Sequence, residues 1–211
     1  MAGPRPLYWI NQFANGNLAI MAAPRLDEQF EATILGWKDE GVDVIVSLLE
    51  DAELPNLTEA ERSLCEEVGV EFISFPVRDK TVPDAVGPVA AVARDLADRV
   101  ADGQAVAIHC RAGIGRSTTL AACVLILSGV DGDIALDMIA AARGLEVPET
   151  EAQRQWVLAF SQAAPLRLAC SPGRDQRPSA LVGPCLAAGG SLRRESRDQV
   201  AGAGVQLHQG P

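Results

Sequence analysis

A cysteine and an arginine six residues apart are the side chains of this sequence best suited to chemistry. Cys110 and Arg116 lie in the segment HCRAGIGRS, residues 109–117. A thiolate is a strong nucleophile. A guanidinium stays charged and can hold two oxygens of a tetrahedral anion through its planar fork. The pair therefore predicts nucleophilic attack on a phosphate ester that the arginine binds.

The same segment has the features of a cradle for an anion. It lies between two apolar runs and is expected to connect a buried strand to a helix. Two glycines let the chain curve tightly, so that successive N–H groups point inward. The start of the helix adds its dipole and its own unpaired N–H groups. We expect the phosphate group to be bound by Arg111, Ala112, Gly113, Ile114, Gly115 and Arg116.

Cys110 has two neighbours in the segment with roles of their own. The helix dipole, the N–H groups and Arg116 are all expected to lower the pKa of its thiol. Ser117 can donate a hydrogen bond to the sulfur and stabilise it as the leaving group of a second step. His109 is expected to orient and polarise the loop rather than to transfer a proton, or to bond to the backbone as a core residue.

The order histidine, cysteine, five residues, arginine and serine resembles the signature of the protein-tyrosine and dual-specificity phosphatases. The spacing, both glycines, the preceding strand and the following helix match, and the resemblance covers about residues 5–163. It is greatest for the compact dual-specificity enzymes, including the cyclin-dependent-kinase-inhibitor-associated type. It implies a phosphocysteine intermediate and a reaction that needs neither a metal nor a cofactor.

The resemblance also implies a general acid on a loop, which protonates the leaving oxygen. The segment FPVRDKTVPD, residues 75–84, is similar to that loop, and its Asp79 lies 31 residues before Cys110, as the resemblance implies. Asp84 is the alternative acid, although it can instead cap the helix that follows.

A polar residue that positions the hydrolytic water is the last part that the resemblance implies. The segment VPETEAQRQW, residues 147–156, is similar to the family's late loop and helix. Gln153 is the best match within it, and Gln155 is the alternative.

Apolar runs and helical repeats alternate along most of the chain. Strands are predicted at 7–10, 18–21, 42–49, 70–77 and 105–110. Helices are predicted at 27–40, 57–69, 84–102, 116–128, 134–143 and 149–162. Thr58 and Glu61 have the spacing of a capping box at the start of the second helix. The alternation predicts an α/β fold with a mainly parallel central sheet flanked by helices.

The composition changes after Pro165, where Gly, Pro, Ser and Arg become frequent and no helical or strand period continues. We expect a catalytic domain at 1–164 and a disordered tail at 165–211. The five cysteines form no C-x-x-C pair, and no secretory signal opens the chain. These features predict free thiols and a cytoplasmic protein.

The formal net charge of −10 argues against partners that are nucleic acids or anionic membranes. The resemblance implies a phosphoprotein or phosphopeptide as the partner. One alternative is a phosphoinositide or another small phosphate ester, although lipid-selective relatives tend to carry lysines in the loop and this loop has none. Another alternative is a phosphate-binding module without turnover, which the simultaneous presence of Cys110, Arg116 and Asp79 disfavours.

Overall fold

Short apolar runs form one mixed sheet of five strands in the part of the chain that the structure describes. The structure is a computed structural model, and it describes residues 5–10 and 15–168. The strands are β1 (Tyr8–Ile10), β2 (Asn17–Ala22), β3 (Val44–Ser47), β4 (Glu71–Ser74) and β5 (Ala105–Cys110). The helices are α1 (Phe30–Asp39), α2 (Leu57–Val68), α3 (Val86–Ala101), α4 (Arg116–Leu127), α5 (Gly132–Arg143) and α6 (Glu151–Leu168).

The strand order is β1-β2-β5-β3-β4, with β5 in the middle of the sheet. Only β1 is antiparallel to its neighbour, while β2, β5, β3 and β4 run parallel to one another. The prediction of a mainly parallel sheet is confirmed. Because β5 ends at Cys110, paired with Ala22 of β2, the cysteine leaves the sheet at its carboxyl edge, where α/β proteins commonly form their sites.

Both faces of the sheet are covered by helices, as the nearly continuous apolar strands require. Ala19, Met21 and Ala107 pack with residues of α1 and α2 such as Trp37 and Cys65. The alternate strand residues pack on the opposite face with α3, α4, α5 and α6. The loop of residues 111–115 lies between two buried elements, because β5 is buried throughout and α4 is buried from Arg116 to Ile126.

Two predicted helix caps differ from the structure. α2 begins after Asn56, whose backbone is in the left-handed region, and no side chain caps it. The predicted capping box of Thr58 and Glu61 is therefore wrong, because the Glu61 carboxylate is buried in the core instead. α3 begins after Ala85 without a side-chain cap, so Asp84 does not cap it.

The last helix is longer than predicted. α6 continues to Leu168, four residues past the predicted domain boundary at 164. The rest of the predicted tail, residues 169–211 with Cys170 and Cys185, lies outside the described residues. None of the helices in the described part has the length and apolar character to cross a membrane.

The packing of α3 onto the sheet and α4 leads to a prediction about stability. Leu96 of α3 is completely buried in the larger core cluster. Leu96→Ala is expected to lower the free energy of unfolding by about 2–5 kcal/mol, because the removed atoms leave a cavity. Urea denaturation measures the change. Leu35→Ala, at a position that is 38% exposed on α1, is the control and should change stability by less than about 0.5 kcal/mol. Equal losses in both variants would contradict the described packing.

Candidate active site

Cys110 is the last residue of β5, and its side chain is buried. Its carbonyl oxygen accepts a hydrogen bond of 2.8 Å from the N–H of Ala23, which follows β2. Its Sγ lies 3.5 Å from the Ser117 hydroxyl oxygen at the start of α4. The cysteine is thus held between a strand and a helix start, in the position that the sequence predicted.

The environment of Cys110 favours the thiolate. Burial raises the pKa of the thiol, but hydrogen bonds from the Ser117 hydroxyl and from the N–H groups of Ser117 and Ile114, together with the charge of Arg116, lower it below the ordinary value. The described chain has two other cysteines, Cys65 and Cys123, and burial raises the pKa of Cys65 to about 12 and that of Cys123 further. Cys110 is therefore the reactive thiol among the three.

Gly113 allows the loop to turn close to β2. Its φ is +68°, and a Cβ there would lie 2.5 Å from the carbonyl carbon and oxygen of Met21 and 2.8 Å from the nitrogen of Ala22. Any side chain would therefore meet backbone atoms of the strand. Gly115 has no such φ, but a Cβ there would lie 2.9 Å from the side-chain amide of Gln153.

Arg143, at the end of α5, donates hydrogen bonds to two carbonyl oxygens of the loop. Its Nε donates to the carbonyl oxygen of Gly113 at 3.1 Å, and its Nη2 donates to that of Ala112 at 3.4 Å. Its guanidinium also stacks 4.0 Å from the ring centre of Tyr8. The C=O and N–H of a planar trans peptide point in opposite directions. Because Arg143 binds the carbonyls of Ala112 and Gly113, the N–H groups of the same peptides, those of Gly113 and Ile114, point toward the anion cradle. Sequence reasoning did not identify Arg143 for this role.

The Arg116 side chain is buried and is surrounded by acceptors. Its Nη1 donates to the carbonyl oxygens of Leu48, at 3.2 Å, and Val77, at 2.8 Å. Glu53 accepts from both Nη1 and Nη2, at 2.5 and 2.8 Å. The Asp79 carboxylate lies 2.9 Å from Nη2. The guanidinium is therefore oriented by protein groups before any substrate arrives.

Glu53 is a site residue that the sequence did not reveal. Its carboxylate binds Arg116 in a bidentate manner and also accepts from the N–H of Glu50 at 3.0 Å. Burial raises the pKa of this carboxyl, but the hydrogen bonds and the charges of Arg116 and Arg111 lower it overall. No motif marks Glu53 in the sequence, because its partner lies 63 residues away.

Asp79 lies in a loop that is hydrogen-bonded to the rest of the protein both before and after this residue. The Val77 carbonyl accepts from Arg116, and the Thr81 carbonyl accepts from the Gln153 amide at 3.2 Å. Between these two attachments, the partly exposed Asp79 side chain reaches Arg116. Asp84 lies beyond the second attachment, is exposed, and forms no ion pair with the described residues.

Gln153 is completely buried at the start of α6. Its N–H and its side-chain oxygen bond reciprocally to the Thr150 hydroxyl and N–H, each at 3.2 Å. It bonds to Thr81 in the loop of Asp79, and it lies so close to Gly115 in the loop of residues 111–115 that a Cβ there would be 2.9 Å from its amide. The alternative, Gln155, is exposed and bonds to Glu151. That Gln153 positions water stays a prediction.

His109 is completely buried, and its Nε2 lies 3.1 Å from Oε1 of the equally buried Glu61. The two groups are in contact, but no ring nitrogen or carboxylate oxygen of this pair has a hydrogen-bond partner of good geometry among the described residues. We regard the pair as a close polar contact rather than a hydrogen bond, because the angle fails although the distance fits. Its influence on the loop stays a prediction.

The site contains no arrangement for a metal. Within residues 5–10 and 15–168, no group of three or more His, Cys, Asp and Glu side chains could hold a metal ion.

Comparison with known proteins agrees with this geometry. Residues 4–167 match the model of the family described as Swiss Army Knife protein, DSP-PTPase phosphatase domain. No curated protein matches the chain significantly. Tk-PTP in its active form is 28% identical, with a TM-score of 0.60, over 74% of this chain and 96% of that chain.

Two more distant structures share the fold. The kinase-associated phosphatase KAP, with its catalytic cysteine replaced by serine, is 20% identical over 82% of this chain and 100% of its own, with a TM-score of 0.65. PTPMT1 in complex with PI(5)P is 22% identical over 72% of this chain and 94% of its own, with a TM-score of 0.59.

The close approach of Gly113 to β2 predicts a loss of anion binding in Gly113→Ala. The added methyl group must displace the loop, because the atoms it meets are backbone atoms. We expect the affinity for inorganic phosphate, measured by calorimetry, to fall by roughly tenfold or more, the scale of one lost charge-assisted hydrogen bond. Gly69→Ala is the matched control, since Gly69 has a φ of +77° and only the Lys38 Nζ within 4 Å. It should lose about 1–2 kcal/mol of stability and keep its phosphate affinity. Unchanged affinity in Gly113→Ala would contradict the described loop.

The contact between the Ser117 hydroxyl and Cys110 Sγ leads to a prediction about how the reactivity of the Cys110 thiol depends on pH. Alkylation needs the thiolate, which is present above the thiol pKa, so a lowered pKa extends alkylation of Cys110 to lower pH. Ser117→Ala removes one stabilising hydrogen bond and should move the midpoint of the iodoacetamide rate to higher pH. Thr118→Val is the control, because the buried Thr118 hydroxyl has no hydrogen-bond partner among the described residues, and its midpoint should stay in place. If Ser117→Ala also keeps its midpoint, the N–H groups and Arg116 account for the thiolate.

Proposed function

The chain belongs to the DSP-PTPase family of phosphatases, and we propose that it hydrolyses phosphotyrosine in proteins through a phosphocysteine at Cys110. Phosphoserine and phosphothreonine are proposed as further substrates. The convergence of a stabilised thiolate, a pre-oriented arginine and an acid-bearing loop supports this proposal most directly.

In the first step we propose that the phosphate dianion binds the inward N–H groups of residues 111–116 and the Arg116 guanidinium. The dianion takes the contact that Asp79 makes with Nη2 in the structure. The Cys110 thiolate then attacks phosphorus in line with the leaving oxygen. The P–O bond breaks as the S–P bond forms, and Asp79, the proposed acid, gives its proton to the leaving oxygen.

In the second step we propose that water attacks the phosphocysteine and the sulfur leaves as a thiolate. Asp79 takes the proton from the water, and the Ser117 hydroxyl stabilises the departing sulfur. Gln153 is proposed to position the water. Its bonds to Thr81 and Thr150 mean that it also holds the loop of Asp79 against the site. Stabilisation of the equatorial oxygens by N–H groups and Arg116 supplies most of the catalysis.

The alternative substrate class is a phosphoinositide. PTPMT1, which shares the fold, has been crystallised with PI(5)P. The lysine-free loop and the acidic chain favour a phosphoprotein. We further propose a cytoplasmic enzyme whose catalytic domain, predicted at 1–164, also includes the rest of α6 as far as Leu168, with the tail following it.

The mechanism predicts a specific order of activities with para-nitrophenyl phosphate in the presence of chelator. The parent should be active and Cys110→Ser inactive, because the nucleophile is lost. Asp79→Asn should lose roughly 10²-fold in kcat, the scale expected of a general acid. Asp84→Asn is the matched control and should keep the parental rate.

Two outcomes would change the assignment. If Asp84→Asn loses activity and Asp79→Asn does not, Asp84 is the acid. If the parent has no activity, the protein binds phosphate without turnover. Rates with phosphotyrosyl peptide and with phosphoinositide vesicles separate the two substrate classes.

A further inference from the structure

A glutamate of α2 and a histidine of β5 contact each other inside the core of the protein. Glu61 lies in the first half of α2, and His109 directly precedes Cys110 at the end of β5. Neither side chain has any exposed surface, and His109 Nε2 lies 3.1 Å from Glu61 Oε1. No step of the mechanism above uses Glu61 or any other residue of α2.

The elements packed around this pair bring no second charge to it. Within the described part of the chain, neither group has another ion-pair partner. His109 pairs with Met21 of β2 and Ser47 of β3, and the buried residues of α1 carry no titratable side chain. The titratable neighbour in α2 is Cys65, whose thiol pKa is raised to about 12 by burial and then by the charge of Glu61. This thiol therefore stays uncharged, and Glu61 and His109 have only each other.

The burial of both groups favours the charged form of the pair. A buried polar group without a hydrogen bond is unfavourable, and a buried charge without a partner is more so. Neither ring nitrogen and neither carboxylate oxygen has a hydrogen bond of good geometry among the described residues, so two neutral groups would both be unsatisfied. The attraction between opposite charges depends on distance rather than on a hydrogen-bond angle. A contact of 3.1 Å therefore suits a carboxylate and an imidazolium, which together carry no net charge.

The backbone of His109 connects the pair to the nucleophile and to the arginine of the site. Successive side chains of a strand point to opposite faces, and Cys110 packs in the larger core cluster on the other face of the sheet. The His109 carbonyl oxygen accepts from the N–H of Leu48 at 3.0 Å. The Leu48 carbonyl oxygen in turn accepts from Arg116 Nη1 at 3.2 Å. A displaced His109 would therefore move both Cys110 and an acceptor of Arg116.

The helix that carries Glu61 is also connected to the site, at its other end. Residues 48–56 join β3 to α2, and they include Glu53, whose carboxylate binds Arg116 in a bidentate manner. The N–H of Glu53 donates to the Glu50 carbonyl at 2.9 Å within this segment. The contact of Glu61 with β5 therefore helps to hold the segment of Glu53 in place beside Arg116.

We propose that Glu61 is a positioning residue for the active site: its carboxylate holds the His109 imidazolium, and this charged pair fixes Cys110 at the end of β5 and Glu53 beside Arg116. Glu61 touches neither the substrate nor the reacting atoms, and it acts through His109. The inference rests on the proposed phosphatase function and adds a residue of α2 on which the alignment of the nucleophile depends.

The charge state of His109 is tested on the parent protein by nitrogen-15 NMR of its histidine rings. Both ring nitrogens of His109 should be protonated at neutral pH. A His208→Gln variant identifies the signals of His208, the other histidine of the chain. A His109 ring with one unprotonated nitrogen at neutral pH would overturn the charged pair. This measurement needs neither turnover nor a substitution at Glu61.

The positioning role is tested with Glu61→Gln, which keeps the size of the side chain and removes its charge. The kcat for para-nitrophenyl phosphate should fall by roughly tenfold or more, the effect of a misaligned catalytic group. The midpoint of Cys110 alkylation by iodoacetamide should move to higher pH, because a displaced thiol loses part of the hydrogen bonding that lowers its pKa. Glu66→Gln is the matched control, since it makes the same charge change at an exposed position of α2 and should keep both values.

Two further variants test the route through His109. Glu61→Asp keeps the charge but shortens the side chain, and it should lie between the parent and Glu61→Gln in both kcat and the alkylation midpoint. In a His109→Asn background, Glu61→Gln should cause no additional shift of the midpoint, because its partner is already absent. Additive shifts in the double variant would overturn the route through His109.

The remaining outcomes separate this role from a purely structural one and from the proposed function. If Glu61→Gln lowers the thermal stability but keeps the parental kcat and midpoint, the pair only supports the core and the positioning role is wrong. If Glu61→Gln does not fold, the NMR signals of the parent and the values of Glu61→Asp decide. A parent inactive on every phosphate ester overturns the proposed function, whereas the NMR signals and the alkylation midpoint still confirm or refute the role of Glu61.

Discussion

The ion pair between a buried guanidinium and the groups around it is the interaction on which the rest of the site depends. Arg116 is almost fully buried, and a buried cation is tolerated only when its donors are satisfied. Its acceptors come from the segments that follow β3 and β4, through Leu48 and Val77, and from Glu53 and Asp79. Satisfying one side chain therefore brings the segment after β3 and the segment after β4 together with the start of α4 at the carboxyl edge of the sheet.

The two loops that meet at Arg116 are held in different ways. The loop of residues 111–115 packs so closely that a Cβ at Gly113 would meet the β2 backbone and a Cβ at Gly115 would meet the Gln153 amide, and Arg143 donates to two of its carbonyl oxygens. The loop of Asp79 is held by hydrogen bonds of Val77 to Arg116 and Leu48, by the bond of Thr81 to Gln153 and by the ion pair of Asp79. A loop fixed by backbone packing keeps its N–H groups aimed at the anion, whereas a loop held by a few hydrogen bonds opens at a lower free-energy cost.

The sequence was sufficient for the parts of the site that are local in the chain. Residues 109–117 contain the proposed nucleophile, the arginine and both glycines, and the alternation of apolar runs predicted every strand and helix near its observed place. Glu53 and Arg143 could not be predicted, because their partners in the site lie 63 and about 30 residues away. The Thr58 and Glu61 pattern led to a wrong prediction for the same reason. Its spacing suits a helix cap, and only the folded chain brings Glu61 against His109.

The contact between Asp79 and Arg116 has a consequence for affinity. Asp79 lies in a short loop whose residues Val77 and Thr81 are hydrogen-bonded to the rest of the protein. Its carboxylate therefore stays close to Arg116 at a high effective concentration, roughly millimolar or above for a short tether. Any incoming anion must displace this tethered competitor, and the competitor returns when the anion leaves. A weakly bound anion with one point of contact is therefore rejected more readily than a dianion that also binds the N–H groups. In the proposed mechanism, the same carboxylate competes for Arg116 with the inorganic phosphate that is released at the end of a cycle.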